Sequence, residues 1–588
     1  MKRYLITTAD ERSWKFDRPV LFLGEWCRRY DRKEIWSKMD AAVADPYGIQ
    51  THEKERDIAY VQALASQLLI ELSAALNVFH NTCHDTRYWN IVIGHWLQRY
   101  VAVVFNRYFT IEQALDKFSI SGSSVFSSGS YSLATFDSYT FIYACQDDVW
   151  NHILYSDILS YMERFKVDID KDALKGESCF APLGNSVPVR KGWIKNSIMT
   201  CATNIFPKFI RKHDAVISSS ALPIKEEFKL QLSLGQCPQL WNCPPMKATN
   251  VDEEQRINFA LNIENHHGFE QFVRRQVSKL IPICYLEGYE QLSQQIKALP
   301  WPGKPKFIFT SNRFGTDEMF KVWTAQKVEE GAPYYAGQHG NNYGTHLYAG
   351  NEQWPERKSV DKFFSWGWSE SGSNVCPAIV FKLANRKAAK FNPLGGLLLI
   401  EKTNPPHIWP WDRYFEYTDY QENQFRFVEG LSEQVRSMVT VRLHHEHGSY
   451  NWFAVQRWHD RIPLTKIDQG ATSLSSLIFE SRIVVHSYDS TGILETLASN
   501  IPTLCFMQEG LEDLCASAKP YYELLKDAGI LVETPAQAAD LIAKHWDNIG
   551  AWWGSEKVQN TRKVFCDEYA KTDKYPLALM KRLLSGGK

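Results

Sequence analysis

In the segment RIVVHSYDSTGILETLASNIPTLCF, residues 482–506, an apolar run is followed by a polar turn, a short helical pattern and a second apolar run. Ser487, Asp489, Ser490, Thr491 and Gly492 fall where the carboxyl end of a strand meets a helix N-terminus. Free backbone amides and the helix dipole hold phosphate at such a place. Glu495, one turn into the helix, can accept hydrogen bonds from a ribose diol. Capping alone also accounts for Ser, Asp and Thr here. The helix leading straight into the buried run TLCF favours a nucleotide-binding βαβ unit.

Two further strand ends carry chemistry-bearing residues. VTVRLHHEHGSYNW, residues 439–452, ends a predicted strand in Arg442, His444, His445 and His447. Arg442 can fork onto a phosphate and an imidazole such as His444 can neutralise a leaving nucleotide. A zinc site is not expected, because adjacent side chains on an extended segment point apart and no fourth ligand is marked. In YYAGQHGNNYGTH, residues 334–346, Gly337, Gly340 and Gly344 punctuate a turn from which Gln338 and His339 project. His339 is the first candidate for a general base or anion-stabilising group. The pairs Asp147/Asp148 and Asp168/Asp170 lie in helical or linker text, and a solvated face is expected for them. In FTSNRFGTDEMFKVWTA, helix capping accounts for Thr310, Ser311 and Asn312.

These residues need strands and helices to position them. Apolar runs at 4–7 and 20–23 read as buried strands that open a Rossmann-like unit. Val61, Leu64, Ala65, Leu68, Leu69, Leu72, Ala75 and Leu76 recur at helical spacing, so a long half-buried helix is expected from about residue 57. Residues from about 50 to 200 read as a mainly helical insertion, with SISGSSVFSSGSYS, 119–132, as a surface loop. Strand and helix patterns then alternate through 215–218, 269–280, 306–310 and 334–337. A second series runs through 397–400, 438–441, 482–485, 503–506 and 530–532, and this rhythm implies parallel sheets. The expected division is an N-terminal Rossmann-like domain over 1–370, a C-terminal nucleotide-sugar domain over 385–545, and helices over 546–588 packing back on the body.

The whole chain limits the function further. Its 588 residues suggest several units at roughly 100 to 200 residues each. Against 66 Lys plus Arg stand 67 Asp plus Glu, so no global field exists to hold nucleic acid. The start MKRYLITTADERSW lacks a secretory apolar core and no transmembrane run is expected, which predicts a cytoplasmic protein with at most peripheral membrane association.

LITTADERSW, RPVLFLGEWCRRY, HDTRYWNIVIGHWL, DDVWNH, FTSNRFGTDEMFKVWTAQKVEEG, GQHGNNYG, FFSWGW and HSYDSTGILETLASNIP, in that order, resemble a bacterial family of transferases encoded among surface-polysaccharide and nonulosonic-acid genes. More distantly, the C-terminal part is similar to GT-B glycosyltransferases, Kdo transferases and the glycerophosphotransferases of teichoic-acid synthesis. The resemblance implies an α/β fold of two Rossmann-like domains facing across a cleft. It implies a nucleotide held by Ser490, Thr491 and Glu495, Gln338 and His339 on the facing wall, and the acceptor on the N-terminal half. Glu25, Trp26, Arg28, Arg87, Trp89 and Asn90 serve either acceptor recognition or the joint between the helical insertion and the sheet, the joint being favoured for the tryptophans. Where the family motif usually has a further Gly, this chain has Asn341.

The expected activity is transfer of a sugar, such as a CMP-linked ulosonic acid, from a nucleotide donor to a glycan or lipid-linked glycan acceptor. No cofactor or metal is expected, as GT-B enzymes usually need none. A nucleotide-sugar epimerase and a non-catalytic scaffold of a polysaccharide assembly complex are the alternatives.

Overall fold

The computed structural model describes residues 1–48, 51–126, 131–170, 174, 177, 179–180, 209–386, 391–407, 417–508 and 510–586. Most of the expected helical stretch beyond residue 170 lies outside them. The described residues form an α/β fold with three parallel sheets. The first contains β1 (Arg3–Ile6), β2 (Val20–Phe22), β3 (Ala41–Val43), β4 (Ile120–Phe126) and β5 (Val167–Asp170), in the order β3-β2-β1-β4-β5. The second contains β6 (Val216–Ser218), β7 (Ile308–Thr310), β8 (Tyr334–Gly337), β9 (Lys362–Ser365) and β10 (Val375–Pro377), in the order β10-β9-β8-β7-β6. The third contains β11 (Gly396–Ile400), β12 (Val439–Arg442), β13 (Lys466–Asp468), β14 (Ser481–His486), β15 (Thr503–Phe506) and β16 (Leu531–Val532), in the order β13-β12-β11-β14-β15-β16. In the first and third sheets the order reverses at the first strand of the set, β1 or β11. In a doubly wound sheet such a point opens a crevice outside the carboxyl ends of the strands.

Contacts divide the chain into two compact units. One comprises Met1–Ser220, Gln231–Tyr335 and Gln353–Asp361; the other comprises Ala221–Leu230, Ala336–Glu352 and Lys362–Lys588. Residues 336–352 and 362–370, expected within the first domain, therefore group with the C-terminal residues. Hydrogen bonds from Trp366 and Trp368 to Gln338, and from Asn341 to Asp489, hold them there.

In the first unit, helices Thr51–His80 and Thr86–Lys117 connect β3 to β4. Val61, Leu64, Ala65, Leu68, Leu69, Leu72 and Leu76 are all buried, as their spacing requires. Thr51–His80 includes a stretch long and apolar enough to cross a membrane, but this buried stripe packs on the neighbouring helix. The expected surface loop at 119–132 is corrected over its first half, because Ile120–Phe126 is β4, paired with both β1 and β5. Its small residues suit a crowded central strand. A Cβ on Gly122 would lie 3.3 Å from the Tyr4 ring, and Ser123 Oγ donates to the Leu5 carbonyl at 3.0 Å. Helix Glu318–Glu329 is capped by Asp317, which accepts from the Phe320 amide, while Thr310 instead accepts from Asn312 and Arg313 in the preceding turn.

One turn along that helix is a fully buried polar cluster. Lys321 Nζ lies 2.7 Å from Glu318 Oε2 and donates to Tyr285 Oη at 2.6 Å and Ser138 Oγ at 3.2 Å. Tyr285 donates to Glu318 Oε2 at 2.6 Å, and the Ser138 amide donates to Glu318 Oε1 at 3.1 Å. Because every group is satisfied, the cluster is structural. Removing one charge strands the other, so Lys321→Met should cost about 3–5 kcal/mol in urea unfolding. The double variant Lys321→Met/Glu318→Leu should recover much of that loss; a double variant no more stable than the single one would refute the pairing.

Candidate functional site

The second unit brings several of the sequence-derived residues together at the crest of its own sheet, where β11 and β14 part. Four residues buried on both faces, Ile483 to His486, carry β14 to the turn, and Leu398, Ile400, Leu477, Val484 and Ile501 form the core beneath it. Ser487 Oγ donates to the Ile400 carbonyl at 3.1 Å and shares a 2.6 Å hydrogen bond with Tyr420 Oη. Ser487 thus joins two strand ends and is fully buried, which corrects its assignment to the donor.

Asp489 is also turned inward. It accepts from Asn341 Nδ2 at 2.6 Å and from Tyr522 Oη at 2.9 Å. Thr491 Oγ1 accepts from the Asn341 amide at 3.0 Å. Ser490 Oγ accepts from the Ile493 amide and sits 3.1 Å from His486 Nδ1, so it caps helix Thr491–Ala498 as the capping alternative describes. Gly492 is required by packing, since a Cβ there would lie 2.7 Å from His486 Cε1. The side chains of Ser487, Asp489, Ser490 and Thr491 therefore hold the turn together. What the helix start offers a ligand is backbone: among the described residues the amides of Thr491 and Gly492 have no hydrogen-bond partner. Unsatisfied N-terminal amides are anion donors.

The same contacts bring the QHG turn to this helix. Gln338 is buried, donating to the Gly340 carbonyl at 2.8 Å and accepting from the Trp366 amide and Trp368 Nε1 at 2.9 Å each. It braces the turn, which corrects its assignment as a catalytic group. His339 is partly accessible, and Tyr343 Oη is 3.3 Å from its Nδ1. Burial and then the nearby charge of Lys382 push its pKa down to about 4, so the imidazole is neutral at physiological pH. Lys382 pairs with Glu495 at 3.2 Å, and both remain partly exposed. Lys382 and Asn341 had no signal in motif spacing; Asn341 stood out only as a departure from the family's glycine.

The strand-end residues of β12 behave differently from expectation. Arg442 is paired to Asp468 on the neighbouring β13 and donates to the Thr472 carbonyl at 2.8 Å, so it is not a free phosphate fork. His444, His445 and Glu446 are not splayed as an extended segment would require. A turn in which the His447 amide donates to the His444 carbonyl brings their ligand atoms within 4.8 Å of one another. The spacing argument against a metal there fails, although among the described residues no fourth ligand joins the three. Burial, with His445, His447 and Arg442 adding to it, lowers His444 to about 4.

Glu401 directly follows β11 and was missed entirely. It is 2% exposed and accepts from Trp458 Nε1 at 3.1 Å, and burial pushes its carboxyl up to about 8.

Comparison with known proteins matches residues 3–584 to the model of the LIC12162 family transferase. No curated protein matches. Among solved structures, a Listeria monocytogenes protein assigned as a UDP-N-acetylglucosamine 2-epimerase shares 10% identity, covering 64% of this chain and 97% of its own, at a TM-score of 0.36. The wall teichoic acid polymerase TagF shares 10% over 67% of this chain and 95% of its own, at 0.31. The Streptomyces sp. SF2575 glycosyltransferase SsfS6 shares 11% over 64% and 99%, at 0.30. At such scores and identities these likenesses are too distant to fix a reaction.

The buried imidazoles and the buried carboxyl give stability opposite pH dependences. His339 and His444 are lowered to about 4 and His486 to about 3, all principally by burial, so the unfolded chain binds more protons below its ordinary histidine pKa of about 6.5. Stability should fall as pH drops from 6.5 towards 4, and His486→Gln should flatten part of that slope in urea titrations. Glu401, raised to about 8, stabilises at low pH and loses that contribution as pH rises through 8. Glu401→Gln should flatten that decline, which runs from about pH 4.5 to 8, and an unchanged slope would contradict its burial as a neutral acid.

Proposed function

The chain belongs to the LIC12162 transferase family, and on that premise we propose that it is a glycosyltransferase working from a nucleotide-activated sugar. The donor proposed is a CMP-linked ulosonic acid, the acceptor a hydroxyl of a surface glycan or its lipid-linked precursor, the place of action the cytosol. The observation that carries the reading is the attachment of the QHG turn, which carries a neutral His339, through Asn341 to the start of the Thr491–Ala498 helix, where two amides are unpartnered among the described residues. A departing nucleotide leaves negative charge on its phosphate oxygen. Fixed N–H donors at a helix start stabilise such charge without reorganising, and Lys382 adds a nearby cation. Glu495, partly exposed on the same helix, is available to a ribose diol if Lys382 moves to the phosphate. No metal is assigned to the step, because amides and lysine supply the charge a metal would otherwise bring.

The panel test uses the purified chain with CMP-, UDP- and GDP-linked sugars. The true donor at about one hundred times its Kd should raise stability by about 2.7 kcal/mol in thermal unfolding. A flat response across the panel would sink the nucleotide-sugar reading, and conversion of a nucleotide sugar without acceptor would turn it into an epimerase. His339→Ala should lower kcat by about 10²–10⁴-fold with little change in nucleotide affinity. EDTA should leave turnover unchanged; loss on chelation with recovery on added zinc would instead assign the reaction to His444, His445 and Glu446.

A further inference from the structure

The turn after β12 gathers side chains with lone pairs to which the transfer reading assigns no part. Strand β12 is held as far as Leu443, which is buried and whose amide donates to the Asp468 carbonyl at 3.0 Å. The chain is pinned again at Trp452, whose buried indole donates to the Asn404 carbonyl at 2.8 Å and stacks on Tyr417 at 4.9 Å. Between these anchors the backbone folds on itself, the His447 amide donating to the His444 carbonyl at 3.0 Å and the Ser449 amide to the Glu446 carbonyl at 2.8 Å. Asn451 and Phe453 lie in the left-handed region, at φ of 56° and 57°. Such backbone is costly for a phenylalanine and persists only where its surroundings fix it. The turn is therefore held in one shape from both ends.

That shape brings His444, His445 and Glu446 together. Their ligand atoms lie within 4.8 Å of one another, and His444 Nδ1 is 4.0 Å from Glu446 Oε2. Donors bound to one ion at about 2.0–2.2 Å stand about 3.4 Å apart in a tetrahedron, so a small closing movement suffices. His445 can make it, since it is exposed and its ring rests on that of His444 with centroids 4.2 Å apart. The His444 Nδ1 lone pair accepts only a long bond, 3.2 Å from the Glu446 amide, which an ion can replace. Arg442 does not repel a cation with a free charge, because it is paired with Asp468. Two imidazole nitrogens and a carboxylate oxygen favour a borderline divalent ion such as zinc over calcium or magnesium, which take oxygen ligands.

The paired carboxylates of the first unit offer no comparable set. Asp147 caps helix Asp148–Met162 by accepting from the Trp150 amide, and Asp148 accepts from the Ala9 amide at 3.3 Å. Burial raises both carboxyls, so the pair is not the solvated face expected of it.

We propose that His444, His445 and Glu446 bind one divalent transition-metal ion of the zinc class, completed by water, and that the ion ties the turn after β12. The site is independent of the glycosyl-transfer reading, since it uses neither the nucleotide nor the sugar.

The full chain, stripped of metal with a chelator, is dialysed against zinc alone. Wild type should retain one equivalent more than the double variant His445→Ala/Glu446→Gln, because zinc held by cysteines is common to both proteins and cancels in the difference. Removing one ligand, as in His445→Ala, should weaken zinc binding by at least the about 10–100-fold that loss of an outer partner costs. With cobalt in place of zinc, the difference spectrum should lack the intense sulfur-to-metal band that a thiolate ligand gives. Zinc should also slow amide exchange across residues 443–452 in the wild type and not in the variant. Equal zinc in the two proteins overturns the site, and retained zinc with unchanged exchange overturns the tie. His445→Ala alone removes an exposed ring and gives the same comparison if the double variant fails to fold. The nucleotide panel is a separate measurement, so failure of either leaves the other standing.

Discussion

Asp489, 5% exposed, needs hydrogen-bond donors inside the protein, because a carboxylate withdrawn from water without them costs several kcal/mol. Asn341 Nδ2 and Tyr522 Oη supply them from segments roughly 150 residues before and 30 residues after it in the chain. The same asparagine uses its backbone amide on Thr491 Oγ1. Three pieces of chain are thereby tied to one side chain: the QHG turn, the start of helix Thr491–Ala498, and helix Lys519–Asp527. Almost everything about the candidate site follows from that tie. It fixes which compact unit the QHG turn joins and which groups of the polar turn remain available to a ligand.

The tie explains why a segment so rich in Ser, Asp and Thr presents few free side chains. The turn must reverse direction over a helix start packed against His486, and each hydroxyl is recruited to hold that geometry. Ser490 caps, Ser487 joins strand ends, Thr491 anchors the neighbouring turn, and Gly492 clears the imidazole. The residues that remain reachable are different in kind: main-chain amides, Glu495, Lys382 and His339. An arrangement with rigid side chains behind and amides in front is preorganised for charge that develops during reaction, since nothing has to move when the charge appears.

Strands with β-branched or large apolar runs were legible in the sequence, and β1, β2, β6, β7, β8, β11, β12, β14, β15 and β16 fall where periodicity places them, within one or two residues at each end. β4 was not, because ISGSSVF has the composition of a loop; the ring of Tyr4 over Gly122 and the bond from Ser123 to Leu5 are facts of packing, not of pattern. The helix stripe from Val61 to Leu76 was legible for the opposite reason, since burial of one face dictates spacing directly. At the candidate site, the sequence marks turns at strand ends but not the partners that their side chains find. Strand-end position marks a residue as near the crest, but whether its side chain faces a ligand or the core depends on partners distant in sequence. Gln338 bonded to Trp366 and Trp368, and Arg442 bonded to Asp468, are such cases. The histidines after β12 failed through local geometry, because a turn begun at His444 overrode the alternation of an extended strand.

The crests of the first and third sheets share a topology and differ in how they use it. At the third sheet the carboxylate nearest the crevice, Asp489, is consumed by two donors, and the unpartnered groups are N–H. At the first sheet the helix-capping role falls to Asp147, which leaves the next carboxyl, Asp148, with a single amide at 3.3 Å, and the unpartnered ring atom of His152 lies on the same helix. Amides favour anions and cannot accept a proton; a crowded carboxyl does the reverse. A single crest would hold them in conflict, because the fixed positive ends that stabilise a phosphate also lower the basicity of any carboxylate beside them. At the crests of two different sheets each kind of group is tuned by its own burial.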